Sequence, residues 1–185
     1  MNVMIPPVLA VLAMTFWFVA PAYAANSFPP IVRGRRPLDR GRLFMGQRLL
    51  GDGKTIEGTA TGILFGCAVG FVLFALQPAV DALLVAERAG LSLSIHTPAL
   101  IVLLSIGAIF GDIVGAFIKR RLGIPRGKPA ILLDQLDFLV FAFLFGSAVY
   151  APSLSILLLL MLLTPLIHWL SNLLGYALKV KQTPW

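Results

Sequence analysis

The chain has 185 residues, of which 58% are hydrophobic and only 12% charged, with a formal net charge of +7. A soluble globular domain carries about one-quarter charged residues, so this composition excludes a water-soluble fold. A single cysteine, Cys67, lies inside an apolar run, which leaves neither a disulfide framework nor a cysteine-rich metal site.

At about 20 residues per crossing, five apolar stretches fit on the chain. They predict an all-α, polytopic integral membrane protein made of one transmembrane domain over residues 1–185. The first span, about 3–25, carries no charged side chain. Its Ala22-Tyr23-Ala24 has the small-x-small look of a signal-peptidase site, but no basic segment precedes it, and the apolar run exceeds the usual signal core; it reads as a helix. A polar, Gly/Pro-punctuated basic loop, 26–54, leads to the second span, about 55–76. A loop over 77–97 then precedes the third span, about 98–118. The short basic turn 119–129 joins it to the fourth, about 130–150, and a tight reversal at Ala151-Pro152-Ser153 starts the fifth, 153–178, with a kink expected at Pro165.

Five crossings put the 26–54 loop, the 119–129 turn and the C-terminus on one side, together with every basic residue except Arg88. Such an imbalance marks that side as cytoplasmic, with the N-terminus outside. Topology thus accounts for the positive charge without nucleic acid.

Gly58, Gly62, Gly66 and Gly70 in the second span, and Gly107, Gly111 and Gly115 in the third, recur at a spacing of four. Residues four apart form one ridge, so each helix offers a groove that a neighbouring backbone can enter. Close packing of these two spans on each other is the expectation.

Asp112 sits about 10 Å of helical rise inside the cytoplasmic end of the third span. Asp137 reaches a similar depth in the fourth span, with Asp134 one turn away on the same face. Each acid at a helix centre costs about 2.5–3.5 kcal/mol to insert, so three in one layer call for compensation. Asp134 and Asp137 read equally well as an N-cap and an N3 residue. Asp112, in mid-helix, has no such role. An oxygen-only set suits Mg²⁺, which is commonly held by one or two carboxylates together with phosphate. Lys119, Arg120, Arg121, Arg126 and Lys128, in a turn loosened by Gly123 and Gly127, would attract that phosphate. The combination points to metal-assisted phosphoryl chemistry on a lipid-anchored substrate.

Asp52-Gly53-Lys54-Thr55 ends like a P-loop, but Arg48 stands where the leading glycine belongs and no apolar strand precedes it, so a P-loop is rejected. His96 falls in the outer loop. His168, near Ser171 and Asn172, is expected to hydrogen-bond between helices.

Lys54-Thr55-Ile56-Glu57-Gly58, with Gly62, resembles the K-T-x-E-G segment of the CTP-dependent phosphatidate cytidylyltransferases. Gly111-Asp112, Lys119-Arg120 and Gly123-Ile124, followed by Asp134-Gln135-Leu136-Asp137, are similar to that family's G-D-x6-K-R-x2-G-I signature and its D-x-x-D pair. Ala116 replaces a serine of the bacterial pattern, Gln135 replaces an arginine, and the bacterial Pro-Gly-His-Gly-Gly stretch is absent. The short form, with Pro125-Arg126-Gly127-Lys128 in the turn, resembles the archaeal branch, the CDP-archaeol synthases. That resemblance implies a membrane cytidylyltransferase acting on 2,3-di-O-geranylgeranylglycerol 1-phosphate, with CTP and the prenylated lipid as partners and Mg²⁺ as cofactor. It leaves room for a homodimer. Asp134 and Asp137 are then the expected metal ligands, with Asp112 as a third ligand or as a partner that orients Lys119, and Asp112, Lys119, Asp134 and Asp137 are the expected catalytic set. Lys54, Thr55, Glu57, Arg120, Arg126 and Lys128 would bind substrate. The rival reading is a small ion or proton-coupled transporter, in which intramembrane acids mark an ion path.

Overall fold

The computed structural model describes residues 7–32, 34–86 and 95–179. Helix α1 (Pro7–Ser27) is followed by the short α2 (Pro29–Val32), a hairpin of β1 (Leu43–Phe44) and β2 (Gln47–Arg48), and the long α3 (Ile56–Ala86). Helices α4 (Pro98–Arg121), α5 (Leu133–Gly146) and α6 (Leu154–Ala177) follow. The start of the first span, Arg33, Glu87, Arg88 and Lys181 lie outside the described residues.

Among the described residues, four helical stretches are long and apolar enough to cross a membrane: Val11–Val32, Ile56–Leu83, Pro98–Arg121 and Leu154–Ala177. The predicted fourth span is shorter than expected. With 14 residues, α5 rises about 21 Å, against about 30 Å of hydrocarbon. Its start is delayed because Leu132 adopts φ 66°, ψ −42°, a conformation costly for a branched side chain. Helix α3 departs in the other direction, running through Pro78 to Ala86 where the sequence suggests a loop from residue 77. Gln77 explains part of this, because its buried amide brackets the His96 main chain, accepting from His96 N at 2.6 Å and donating to His96 O at 3.1 Å.

Helix α4 is the axis of the molecule. Thr97 caps it, accepting from Leu100 N at 3.2 Å, and Pro98 occupies its first turn. Lys119, Arg120 and Arg121 form its last turn, where cations complement the helix dipole. Of its apolar window 44% is buried, against 17% in α3 and 11% in α6, so α4 is interior while the other two turn most of their surface outward. Leu100, Leu104 and Ala108 of α4 pack with Phe18 and Ala22 of α1 and with Phe138, Leu139 and Ala142 of α5. Between apolar helices in lipid, close packing rather than water exclusion supplies the attraction.

The glycine ridges serve as grooves, but their partners differ from the expectation. A Cβ at Gly107 would strike the backbone of Phe141 and Ala142, and one at Gly111 the backbone of Asp137 and Phe138, so the α4 ridge seats α5 rather than α3. The α3 ridge instead receives Pro21, Ala25 and Pro29 from the N-terminal helices and the side chains of Ile101, Ser105 and Ile109 from α4. Spacing identifies a groove without naming the helix that fills it. His168 bonds Asn172 of its own helix at 3.2 Å, and a hydrogen bond between helices joins Tyr23 of α1 to Thr164 of α6 at 2.6 Å.

Candidate active site

The path into α3 is built by main-chain pairing. Leu38 N donates to Lys54 O at 2.7 Å and Ile56 N to Arg36 O at 2.9 Å, so residues 36–38 splint residues 54–56. Thr55 then begins the helix, its Oγ1 accepting from Gly58 N at 3.1 Å. This splint directs Lys54 toward α4, where its Nζ meets Asp112 Oδ2 at 2.5 Å.

Seven residues further along α4, Lys119 Nζ donates to both carboxylate oxygens of Asp134 at 2.8 Å and to Lys128 O at 2.8 Å. Asp134 Oδ2 also accepts from Ala130 N at 2.8 Å, and Gln135 Oε1 accepts from Leu132 N at 3.1 Å. The two side chains thereby fasten the turn that opens α5. Asp137 faces α4 at Gly115: a Cβ there would meet its carboxylate. Its Oδ1 accepts from Phe138 N at 2.6 Å, and it lies within electrostatic reach of Asp112, Lys54 and Asp134.

These groups share one cleft of about 150 Å³. Lys54, Asp112, Lys119, Arg120, Asp134 and Asp137 line it, and Arg126 does so from the connecting turn. Arg120 and Arg126 have no carboxylate within ion-pair distance among the described residues, and Arg120 Nε is buried without a hydrogen-bond partner. A buried, unbonded guanidinium nitrogen beside a polar cleft suits an incoming anion.

Three other motif residues lie elsewhere. Thr55 is spent on capping α3. Glu57 accepts from Arg36 Nε at 2.8 Å and Arg36 N at 3.2 Å. Lys128 contributes its carbonyl, not its ammonium, to Lys119. Conversely, Leu50, Gly53, Ala116 and Gly127 line the cleft without having been singled out for it. Gly53 was visible only as part of the rejected P-loop tail.

A second network, also unanticipated, holds the loop that carries Leu50, Gly53 and Lys54. Asp39 is buried and accepts from Arg48 Nε (3.2 Å) and an Arg48 terminal nitrogen (2.8 Å), and from the backbone N–H groups of Gly41 (3.1 Å), Leu50 (3.0 Å) and Gly51 (3.0 Å). The Arg48 guanidinium, aided by those N–H groups and opposed by burial, keeps the Asp39 carboxyl well below the usual carboxylate range. Arg48 also reaches Asp52 at 2.8 Å. Arg121 completes the tie by bonding the carbonyls of Phe44, Gln47 and Arg48.

The sequence profile of the CarS-like CDP-archaeol synthase family matches residues 8–185. The CDP-archaeol synthase of Thermococcus kodakarensis is 44% identical over 172 residues, covering 92% of this chain and 94% of the relative. This chain belongs to the CDP-archaeol synthase family. Its relatives include the CDP-archaeol synthase of Methanopyrus kandleri, 44% identical over 91% of each chain, and that of Halobacterium salinarum, 42% identical over 91% of this chain and 94% of the relative. A solved structure of an intramembrane enzyme for archaeal membrane lipid biosynthesis superposes with a TM-score of 0.70, at 39% identity, over 85% of this chain and 92% of that one.

In this CDP-archaeol synthase family member the three acids share the cleft but do not form a closed ligand cluster. Among the described residues, no three His, Cys, Asp or Glu side chains are grouped to hold a metal ion. The reason is visible in the ion pairs, since Asp112 is engaged by Lys54 and Asp134 by Lys119. That leaves Asp137 as the one of the three acids with no ion pair among the described residues, and a single carboxylate still fits Mg²⁺, provided that phosphate oxygens complete its shell.

Proposed function

We propose that the cleft transfers the cytidylyl group of CTP to 2,3-di-O-geranylgeranylglycerol 1-phosphate, forming CDP-archaeol and pyrophosphate. The observation that carries this reading is the meeting of Lys54, Lys119, Arg120 and Arg126 with three aspartates in one cleft, in a chain of this family.

An oxygen of the lipid phosphate attacks the α-phosphorus of CTP in line; the new P–O bond forms as the bond to the β-phosphate oxygen breaks, and pyrophosphate leaves. The attacking oxygen is already anionic near neutrality, so no residue need remove a proton. What opposes reaction is repulsion between two anions and the loss of freedom in aligning them. Arg120 and Arg126 are the groups suited to receive the triphosphate, because neither is neutralised by a carboxylate among the described residues. Lys54 is placed by Asp112, which fixes its ammonium in the cleft wall while leaving further N–H donors for phosphate. Lys119 spends its three donors on the two Asp134 oxygens and the Lys128 carbonyl, so it would reach phosphate by releasing Asp134, which would then be open to a metal ion. Mg²⁺ held by Asp134 and Asp137, with Asp112 nearby, would offset charge on the transferring phosphoryl group.

In this reading α5 with its flanking residues makes a fifth crossing, the N-terminus lies outside, and the cleft faces the cytoplasm of the cell membrane. The excess of basic residues at the cleft end of the helices supports it. A transporter would need polar groups continuing past the midplane, whereas the cleft draws its α4 lining from the stretch between Asp112 and Arg120, near one end of that helix. The test is incubation of purified protein with labelled CTP, Mg²⁺ and the prenylated glycerol phosphate. Appearance of label in a CDP-lipid supports the proposal, and its absence from fully folded protein overturns it.

A further inference from the structure

The 43–48 hairpin is unusual for a loop at a membrane protein's polar end. Its turn, Met45 (φ 52°) followed by Gly46 (φ 77°), places both central residues in the left-handed region, where Asn-Gly is the favoured pair. Met45 stands where a polar residue would be easier, and it is 83% exposed, beside Leu43 at 65% and Phe44 at 49%.

The hairpin is also held at a defined height. The Phe44 ring lies 6.1 Å from that of Phe117, and the Arg121 guanidinium sits 5.3 Å and 5.2 Å from the two ring centres while bonding the hairpin carbonyls. Phe117 is one turn short of the end of α4, about 6 Å before its last residue. The apolar tip therefore lies level with the last turn of a membrane-spanning helix, where hydrocarbon gives way to headgroups. Its neighbours Arg40 and Arg42 are exposed, and the adjacent acid in the chain, Asp39, is buried and paired with Arg48. The rim is thus cationic.

We propose that residues 43–46 form an interfacial anchor, with Leu43, Phe44 and Met45 immersed at the headgroup–acyl boundary and Arg40 and Arg42 facing anionic lipid headgroups. An apolar tip with a basic rim is the pattern of interfacial insertion. Three side chains fall far short of the roughly 800 Å² per partner of a stable protein interface, which argues for lipid rather than a second copy. Because β2 runs directly into the loop bearing Leu50, Gly53 and Lys54, the anchor would hold one wall of the cleft at the depth of a lipid phosphate. That consequence rests on the proposed reaction, whereas the immersion does not.

The test uses the full chain carrying Cys67→Ala and Met45→Cys, labelled with bimane, in nanodiscs of mixed phosphatidylcholine and phosphatidylglycerol. Leu43→Cys is a second site in case the first folds poorly, and Arg35→Cys is a water-facing control. Immersion predicts loss of most of the emission to lipids spin-labelled just below the headgroup, and little loss to aqueous iodide, with the reverse at position 35. Iodide quenching without lipid quenching at positions 43 and 45 would overturn the anchor. So would self-quenching that grows with the number of chains per disc, which would mark a contact between copies. The readout is indifferent to catalysis, so a failed assay for cytidylyl transfer leaves it standing.

Discussion

The carboxylate of Asp137 on α5 fills the space in which a side chain at position 115 of α4 would have to stand. Gly111, one turn earlier, meets the backbone of Asp137 and Phe138 instead. The two glycines therefore do different work in the same groove. Gly115→Ala pushes a side-chain end aside and should leave the fold intact while displacing one acid of the cleft; a shift of about 1 Å at a reacting site is worth about 100-fold in rate. Gly111→Ala presses on a helix backbone and should cost about 1–3 kcal/mol of stability. Thermal unfolding in detergent beside turnover measurements separates them: equal losses of stability in both variants would refute the distinction.

Lys54 and Asp112 join the entry of α3 to the middle of α4 at 2.5 Å, each about three-quarters buried. Removing one partner strands the other charge, which is worse than removing both. Lys54→Gln and Asp112→Asn should each destabilise the protein, and the double variant should recover part of the loss, with a coupling of about 1–2 kcal/mol. Strict additivity in the cycle would show that the pair contributes nothing as a pair.

Lys119 holds both oxygens of Asp134 and the Lys128 carbonyl. In Lys119→Ala the proposal expects a KM for CTP raised by about 10- to 100-fold, the worth of one charge-assisted hydrogen bond, with a smaller change in melting temperature. An unchanged KM and rate for CTP would remove Lys119 from the site.

Asp39 gives a pH prediction. Its carboxyl is held below its unfolded value, first by Arg48 and then by the backbone N–H groups of Gly51, Leu50 and Gly41. A depressed folded pKa means that the stabilisation is fully present above the unfolded value, about 4, and is lost as pH falls below it. Amide exchange at Leu50 and Gly51 should be flat from pH 7 to 5 after correction for intrinsic rates, then accelerate below about 4. Asp39→Asn should exchange fast throughout and lose that pH dependence. Acceleration that begins near pH 6 would assign the loop's stability to another group.

Much of this arrangement was legible in residue spacing. Asp112 and Lys119, or Asp134 and Asp137, share a helical face by arithmetic alone, and they do line one cleft. Less accessible was anything decided by the neighbour rather than by the helix itself. The ridge through Gly107, Gly111 and Gly115 was readable as a groove, yet only the packed structure shows α5 seated in it. Thr55 and Glu57 belong to a recognisable motif, but their chemistry is local: one caps α3 and the other holds Arg36. Asp39 and Arg48 looked like scattered charges in a basic loop, because a buried acid ringed by backbone N–H groups leaves no periodic trace. The reach of α3 beyond Pro78 was hidden for the opposite reason: proline is a strong local stop signal, and it was overridden by tertiary contacts.

The measurement that bears most directly on the central claim is cytidylyl transfer by purified Asp134→Asn and Asp137→Asn beside the unaltered protein, with labelled CTP, Mg²⁺ and the prenylated glycerol phosphate. The account predicts CDP-lipid and an equal amount of pyrophosphate from the unaltered chain, and no transfer by either variant although both insert and purify. Undiminished Mg²⁺-dependent turnover in both variants would contradict it.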